Sequence, residues 1–170
     1  ITSSAASDVY KRQAEDASSI YDIPIMLKKQ KMDDFIIKKM SLKKNKSNIK
    51  PWTEYKQKVK KCRKNVKIAM IGKYVDLEDS YKSLNEALYH AGIINMLKVD
   101  IDYIDSESIK KSTIKSLCMM DGILVPGGFG NRGIEGKILA AEFARENKIP
   151  YLGICLGMQI SVIELSLIHI

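Results

Sequence analysis

Residues 150–159, Pro-Tyr-Leu-Gly-Ile-Cys-Leu-Gly-Met-Gln, constrain this chain more than any other stretch. An apolar run ends there in Gly-Ile-Cys-Leu-Gly, the glycine-x-nucleophile-x-glycine pattern of a sharp turn from a strand into a helix. Such a turn places Cys155 at the start of the helix, where the helix dipole favours the thiolate. The backbone N–H of Leu156 then faces any oxyanion that forms at a carbonyl attacked by Cys155.

A second glycine cluster, Pro-Gly-Gly-Phe-Gly at residues 126–130, lies 25–29 residues before this cysteine. It follows the apolar run Ile-Leu-Val at 123–125, so a strand again ends in a flexible loop. In a parallel sheet both loops open at the carboxyl edge, where α/β proteins bind ligands. We therefore expect Gly127 or Gly128 to offer a second backbone N–H to the same oxyanion. An inert core cysteine between ordinary turns is the competing interpretation, but it leaves the order and spacing of the two motifs unexplained.

Apolar runs alternate with helical patterns from Val66 onward, which predicts an α/β fold with a mainly parallel sheet and helices on both faces. The predicted strands are 66–71, 99–104, 121–125 and 151–154. The predicted helices are 80–91, 106–117, 134–146 and a helix that begins at Leu156. We expect Asp79 or Ser80 to cap the first of these helices and Gly92 to end it.

The first part of the chain has a helical pattern and a strong positive charge. Two short helices are predicted within residues 20–40, then a polar linker at 41–51 and a helix at 52–62. The whole chain carries a net charge of +8, and residues 28–67 hold sixteen Lys or Arg against three acidic residues. Only three aromatic residues accompany these lysines, so a solvated linker explains them better than nucleic-acid binding.

The chain resembles the class I (triad) glutamine amidotransferases, and among them the CTP synthases. Besides Gly-Ile-Cys-Leu-Gly-Met-Gln, the resemblance is carried by four segments within residues 14–164. They are Ser-Ser-Ile-Tyr-Asp-Ile-Pro at 18–24, Gly-Lys-Tyr-Val at 72–75, Asp-Ser-Tyr-Lys-Ser-Leu-Asn-Glu-Ala-Leu at 79–88, and Gly-Gly-Phe-Gly-Asn-Arg-Gly-Ile-Glu-Gly-Lys at 127–137. The first and last of these separate CTP synthases from other triad amidotransferases.

The resemblance implies a specific activity. A CTP synthase converts UTP to CTP with ATP and magnesium, takes its nitrogen from glutamine, and has GTP as an activator. By resemblance, Cys155 forms a thioester with the glutamine side chain, and Gly128 with the Leu156 N–H holds the oxyanion. The implied glutamine-binding residues are Gly128, Leu156, Gly157, Met158 and Gln159. The parent is expected to be a cytoplasmic homo-oligomer, a tetramer, that binds neither nucleic acid nor a membrane.

The chain also departs from the family. A cysteine nucleophile needs a histidine base oriented by a carboxylate, and in the family both lie far downstream of the cysteine. Only fifteen residues follow Cys155 here, and neither His90 nor His169 is a good substitute. We therefore expect the chain alone to be inactive and to hold no cofactor or metal. Two alternatives stay open: a non-catalytic α/β module, or a triad amidotransferase that serves another synthetase.

Four more residues are candidates for contacts near the glycine loop or between domains. Tyr81 and Lys82 lie at the start of a helix, where a plain helix N-terminus is an equal interpretation. Arg132 and Glu135 flank the glycine loop, where they either couple two domains or form a local surface ion pair. Cys118, within Leu-Cys-Met-Met, is expected to be buried, and three widely spaced cysteines indicate neither disulfides nor a zinc site.

The expected domain organisation follows from these matches. Residues 14–63 are predicted to be the end of a synthetase domain with its linker, and residues 64–164 part of a glutamine amidotransferase domain. Residues 1–13 and 165–170 match nothing in the family and are expected to be non-native ends. The P-loop and nucleotide-binding half of a CTP synthase is not represented in this sequence.

Overall fold

The computed structural model describes residues 15–73 and 78–169. The chain divides into two compact units, Ile1–Lys61 and Cys62–Ile170. The first unit contains a 3₁₀ turn at Ile20–Asp22 and three helices, α1 (Ile23–Lys29), α2 (Met32–Lys39) and α3 (Lys50–Lys61). The assignment of this unit to the end of a synthetase domain stays a prediction.

The helices of the first unit pack through partly exposed side chains. None of the described residues 15–61 is fully buried. The rings of Tyr21 and Tyr55 pack at 4.5 Å between centroids, and Lys56 pairs with Asp22 at 2.6 Å. The predicted break between the first two helices is confirmed: Lys31 takes φ 55°, a left-handed conformation that a helix cannot continue through.

The second unit is an α/β sheet of four parallel strands. In chain order its elements are β1 (Lys64–Gly72), a 3₁₀ turn at Glu78–Tyr81, α4 (Lys82–Ile94), β2 (Leu97–Asp105), a 3₁₀ turn at Ile114–Met119, β3 (Gly122–Val125), α5 (Ile134–Glu146), β4 (Tyr151–Gly153) and α6 (Leu156–Leu167). The strands are ordered β2-β1-β3-β4, and every pairing is parallel. The predicted fold class is confirmed.

The hydrophobic core lies where strands β1 and β3 meet helix α5. Its buried residues are Ala69, Ile71, Ile109, Leu117, Ile123, Val125, Ala140 and Ala144. Successive residues of a strand face opposite sides of a sheet, and Met70 and Leu124 between these positions are also buried. The central strands are therefore covered on both faces, as parallel sheets require.

The expected helix at 106–117 is wrong. The segment after β2 consists of turns and one 3₁₀ helix because its short polar side chains bind nearby backbone carbonyls. Ser108 Oγ donates to the carbonyl of Asp105 at 2.7 Å, and Thr113 Oγ1 donates to that of Ser108 at 3.0 Å. Cys118 in this segment is exposed, not buried as predicted.

Both expected ends of α4 are also wrong. Asp79 and Ser80 lie in the preceding 3₁₀ turn, so that the helix begins at Lys82 without a side-chain cap. Gly92 is a buried residue inside the helix, which continues to Ile94. A methyl group at Gly92 would lie 2.6 Å from Cγ2 of Val99, so this glycine lets α4 pack closely on the strand that follows it.

Candidate active site

Cys155 lies at the turn between β4 and α6, at the carboxyl edge of the sheet. Its backbone takes φ 53° and ψ −105°, a conformation that few residues other than glycine adopt. Holding a side chain there costs roughly 1–3 kcal/mol and is common at functional sites. The side chain of Cys155 is exposed, so this turn presents its thiol to solvent.

Two glycines make the turn sterically possible. A methyl group at Gly157 would lie 2.0 Å from the carbonyl oxygen of Val125, and one at Gly153 would lie 2.4 Å from the backbone carbon of Gly157. The start of α6 therefore rests directly on the backbone of β3 and on the end of β4. This close approach explains why glycine is needed both two residues before and two residues after Cys155.

Tyr151 also stabilises the turn at Cys155. Its hydroxyl donates a hydrogen bond to the carbonyl of Gly157 at 2.8 Å. Burial raises the pKa of Tyr151 to about 12, so the phenol keeps its proton, and with it this hydrogen bond, at neutral pH. No sequence motif indicated that Tyr151 stabilises this turn.

Replacing Tyr151 with Phe is expected to lower the free energy of unfolding by about 1 kcal/mol, because one partly buried hydrogen bond is lost. The ordinary pKa of tyrosine, 10.0, applies to the unfolded protein, and the folded value is about 12. Between pH 10 and pH 12 the folded protein therefore binds more protons than the unfolded protein. This contribution to stability is complete below pH 10 and disappears as the pH rises through 12. Urea unfolding of both proteins at about pH 8 and about pH 11.5 measures it. A difference in stability that does not shrink at the higher pH would contradict this assignment.

The glycine loop at 126–130 lies against the cysteine turn, as expected. A methyl group at Gly127 would lie 3.6 Å from Cβ of Cys155, and one at Gly128 would lie 3.5 Å from Cδ2 of Leu156. The N–H of Ile154 donates to the carbonyl of Val125 at 3.0 Å, which ties the two loops together. The glycine loop therefore lies beside Cys155 and Leu156, which is the proximity that a shared oxyanion site requires. The oxyanion role of Gly128 and Leu156 stays a prediction.

Two lysines that were not among the predicted site residues, Lys73 and Lys137, also lie at the glycine loop. Lys73, directly after β1, donates from Nζ to the carbonyls of Phe129 at 2.6 Å and Gly130 at 3.3 Å. Lys137 of α5 is only 1% exposed, and its Nζ lies 4.0 Å from a methyl group placed at Gly128. Both lysines lie in segments that carry the family resemblance, but lysine side chains are usually solvated, so those segments did not indicate that either lysine approaches the loop.

Arg132 and Glu135 do not form the local ion pair that was considered for them. Arg132 instead pairs with Glu107, with Nε and Nη2 each 2.7 Å from the same carboxylate oxygen. The hydrogen bond from Arg132 lowers the pKa of Glu107. The pair is exposed and joins the segment after β2 to the end of the glycine loop. Glu135 lies in the first turn of α5, where a carboxylate suits the helix dipole.

The other predicted residues lie at the same edge of the sheet. The hydroxyl of Tyr81 accepts a hydrogen bond from the N–H of Lys73 at 3.3 Å, and its ring stacks with Tyr103. Lys82 is exposed at the first position of α4. Met158 and Gln159 are exposed in the first turn of α6, directly after the nucleophile.

Neither histidine is placed to serve Cys155. His90 lies on α4, which packs on the edge strand β2, and its Nε2 is 3.8 Å from Glu86. His169 follows the far end of α6, and a helix of 12 residues separates its ends by about 18 Å. Within residues 15–73 and 78–169, no group of three or more His, Cys, Asp or Glu could hold a metal ion. No helix in that part of the chain is long and apolar enough to cross a membrane.

Comparison with known proteins shows which family the chain is similar to. The family model for glutamine amidotransferase class-I matches residues 76–167. CTP synthase from Caldanaerobacter subterraneus subsp. tengcongensis is 51% identical over 152 residues, which cover 89% of this chain and 28% of that protein. CTP synthase from Carboxydothermus hydrogenoformans is 50% identical over 155 residues, which cover 91% of this chain and 29% of that protein. The chain therefore spans less than a third of the length of these curated relatives.

A solved structure is similar as well. The glutaminase domain of Trypanosoma brucei CTPS with bound acivicin aligns with a TM-score of 0.56 and 49% sequence identity. The alignment covers 59% of this chain and 40% of that chain. The resemblance to CTP synthases that the sequence predicts is confirmed.

Proposed function

Since the chain belongs to the glutamine amidotransferase class-I family, we propose that Cys155 is the nucleophile that releases ammonia from the side-chain amide of glutamine. The single observation that carries this proposal is the strained, exposed turn of Cys155 against the glycine loop. An amide carbonyl is a poor electrophile, so its hydrolysis needs a strong nucleophile and aligned donors in one place.

The proposed reaction has two halves. The thiolate of Cys155 attacks the amide carbon, and the carbonyl oxygen becomes an oxyanion held by the N–H groups of Gly128 and Leu156. The carbon–nitrogen bond then breaks, the leaving nitrogen takes a proton as ammonia, and a thioester remains on the cysteine. Water hydrolyses the thioester to glutamate and regenerates the thiol. The histidine and carboxylate that the family supplies downstream of the cysteine would carry these protons, because neither His90 nor His169 is positioned to do so.

Glutamine is the proposed substrate, and the binding residues are those that surround the nucleophile. The run Leu156, Gly157, Met158 and Gln159 directly follows Cys155 in the chain, and Gly128 lies next to the Leu156 side chain. The bound acivicin in the similar glutaminase domain supports this, since acivicin is a glutamine analogue. The carboxyl edge of the sheet is also where parallel α/β proteins usually bind small molecules.

The proposed parent protein is a CTP synthase, a ligase of pyrimidine biosynthesis that aminates UTP with ATP and glutamine. Identities of about 50% to two CTP synthases across roughly nine-tenths of this chain support the proposal. ATP, magnesium and UTP would bind the synthetase half, with GTP as activator, in a cytoplasmic tetramer.

A non-catalytic α/β module is the second candidate. The observation that favours it is the position of both histidines, which in the described part of the chain leaves Cys155 without a nearby base. Such a module would keep the fold and the exposed thiol but would neither bind glutamine specifically nor form a thioester.

Covalent labelling separates the two candidates. The intact parent protein is treated with acivicin or a chloroketone analogue of glutamine, and the modified cysteine is identified by peptide mass spectrometry. We expect modification of Cys155 alone, with excess glutamine protecting it. Cys118 is an internal control because it is also exposed. Iodoacetamide, which needs no binding site, should modify both cysteines. Equal labelling of Cys118 and Cys155 by the glutamine analogue would contradict a glutamine site.

A further inference from the structure

Lys137 is a buried cation that the proposed reaction does not yet use. It is 1% exposed, and it is the largest of the fully buried side chains. Lysine is almost never fully buried unless it is paired. In the part of the chain that the structure describes, Lys137 forms neither an ion pair nor a hydrogen bond, although its ammonium keeps a small contact with solvent and the charge of Asp105 acts on it. A lysine held in this way beside a glycine loop is placed to serve a ligand or a developing charge.

The ammonium lies beside the glycine loop, next to Gly128. A methyl group at Gly128 would contact Nζ of Lys137 at 4.0 Å and Cδ2 of Leu156 at 3.5 Å. The same small region therefore contains the cation and both residues whose N–H groups are proposed to hold the oxyanion. Lys73 binds the next two carbonyls of the loop, those of Phe129 and Gly130, and so holds the loop in place.

The position of Lys137 is electrostatically unfavourable for the folded protein. Burial lowers its pKa, the nearby charge of Lys73 lowers it further, and the carboxylate of Asp105 opposes both. The glycine loop contributes no titratable side chain between residues 126 and 130. Lys137 is also the fourth residue of α5, near the positive end of the helix dipole. Retaining such a cation costs stability, and costs of this kind are commonly accepted where a site needs them.

We propose that Lys137 is a positioning residue for glutamine hydrolysis, whose buried ammonium sets the positive potential at the oxyanion site of Gly128 and Leu156. This inference rests on the proposed function of Cys155. A cation close to a developing negative charge stabilises it more strongly where the cation has lost most of its surrounding water, as the buried Lys137 side chain has. Because neutral glutamine carries that charge only in the transition state, Lys137 should affect the rate of hydrolysis more than the binding of glutamine.

Replacing Lys137 with Met in the intact parent protein tests this inference. Met has a similar length and no charge, so we expect kcat for glutamine hydrolysis to fall about 10- to 100-fold with KM nearly unchanged. The aldehyde analogue of glutamine, which forms an oxyanion-like adduct with a thiol, should bind more weakly by a similar factor.

The glutaminase domain should melt at a higher temperature in the Lys137→Met variant, because the buried charge is gone. Lys137→Arg keeps the charge and should recover part of the rate. Lys115→Met, at an exposed lysine of the same unit, is the matched control and should change none of these values.

Each outcome separates the proposals. If the wild type hydrolyses glutamine and Lys137→Met matches it in kcat and in aldehyde affinity, the role of Lys137 is refuted while that of Cys155 stands. Equal losses in glutamine binding and aldehyde binding, with a lower melting temperature, would show that Lys137 is merely structural. If Lys137→Met does not fold, Lys137→Arg is the deciding variant. Wild-type stability, with a wild-type ratio of the affinity for the aldehyde to the affinity for glutamine, would then support the role of Lys137. If the wild type itself neither hydrolyses glutamine nor reacts with its analogues, both proposals fail.

Discussion

Replacing Cys155 with Ala in the intact parent protein is expected to abolish CTP formation from glutamine and to leave CTP formation from ammonium salts near the wild-type rate. The thioester cannot form without the sulfur, so the loss of the glutamine-dependent rate should be at least about 10³-fold. Ammonia supplied from solution bypasses the glutaminase site, because the synthetase half consumes ammonia and not glutamine.

The measurement is the initial rate of CTP formation with either nitrogen source, followed by absorbance or chromatography. Cys118→Ala is the matched control, since it removes another exposed thiol from the same unit and should keep both rates. Loss of both activities in the Cys155 variant would indicate a folding defect and not a missing nucleophile. Retention of the glutamine-dependent rate would exclude Cys155 as the nucleophile.

Replacing Gly157 with Ala is expected to destabilise the second unit by about 2–4 kcal/mol. In an exposed helix the same change stabilises by up to about 1 kcal/mol, because alanine has the higher helix propensity. Here the added methyl group would lie 2.0 Å from the carbonyl oxygen of Val125 and 2.9 Å from its carbon. Both are backbone atoms of β3 and cannot rotate away, so α6 would have to separate from the sheet and carry Cys155 with it.

Denaturant unfolding of the parent protein, followed by a probe in the second unit, measures this effect. Gly127→Ala is the control for stability, because its methyl group would meet only ordinary contacts of 3.6 and 3.9 Å. That variant should stay within about 1 kcal/mol of the wild type. An equally stable Gly157→Ala variant would mean that α6 does not rest on β3 as described.

Much of the site was predictable because its signals are local. A glycine two positions before and two positions after a cysteine, at the end of an apolar run, indicates a turn that needs close backbone contact. The structure has that turn, with Cys155 at φ 53° between β4 and α6. Helix α5 was predicted at its observed bounds because its apolar residues repeat with helical spacing. In the structure Gly133 precedes it in a left-handed conformation.

Other local predictions failed where long-range packing or local hydrogen bonding was decisive. Gly92 looked like a helix end, but its missing side chain serves contact with Val99 and Leu97 of the next strand. The residues from Ser106 to Leu117 looked helical, but hydroxyl groups such as those of Ser108 and Thr113 bind the backbone and hold turns there.

The sequence alone determined the parallel α/β fold, the cysteine turn and its pairing with the glycine loop. These features depend on apolar periodicity and on glycine spacing, which are properties of neighbours along the chain. Only the tertiary structure decided which lysines approach that loop. Lys73 follows β1 and Lys137 lies within α5, and both approach the loop because β1 and β3 are adjacent in the sheet and α5 packs on it. Lys137 is desolvated because tertiary packing brings these elements together. Its electrostatic effect on the site therefore cannot be read from the local sequence.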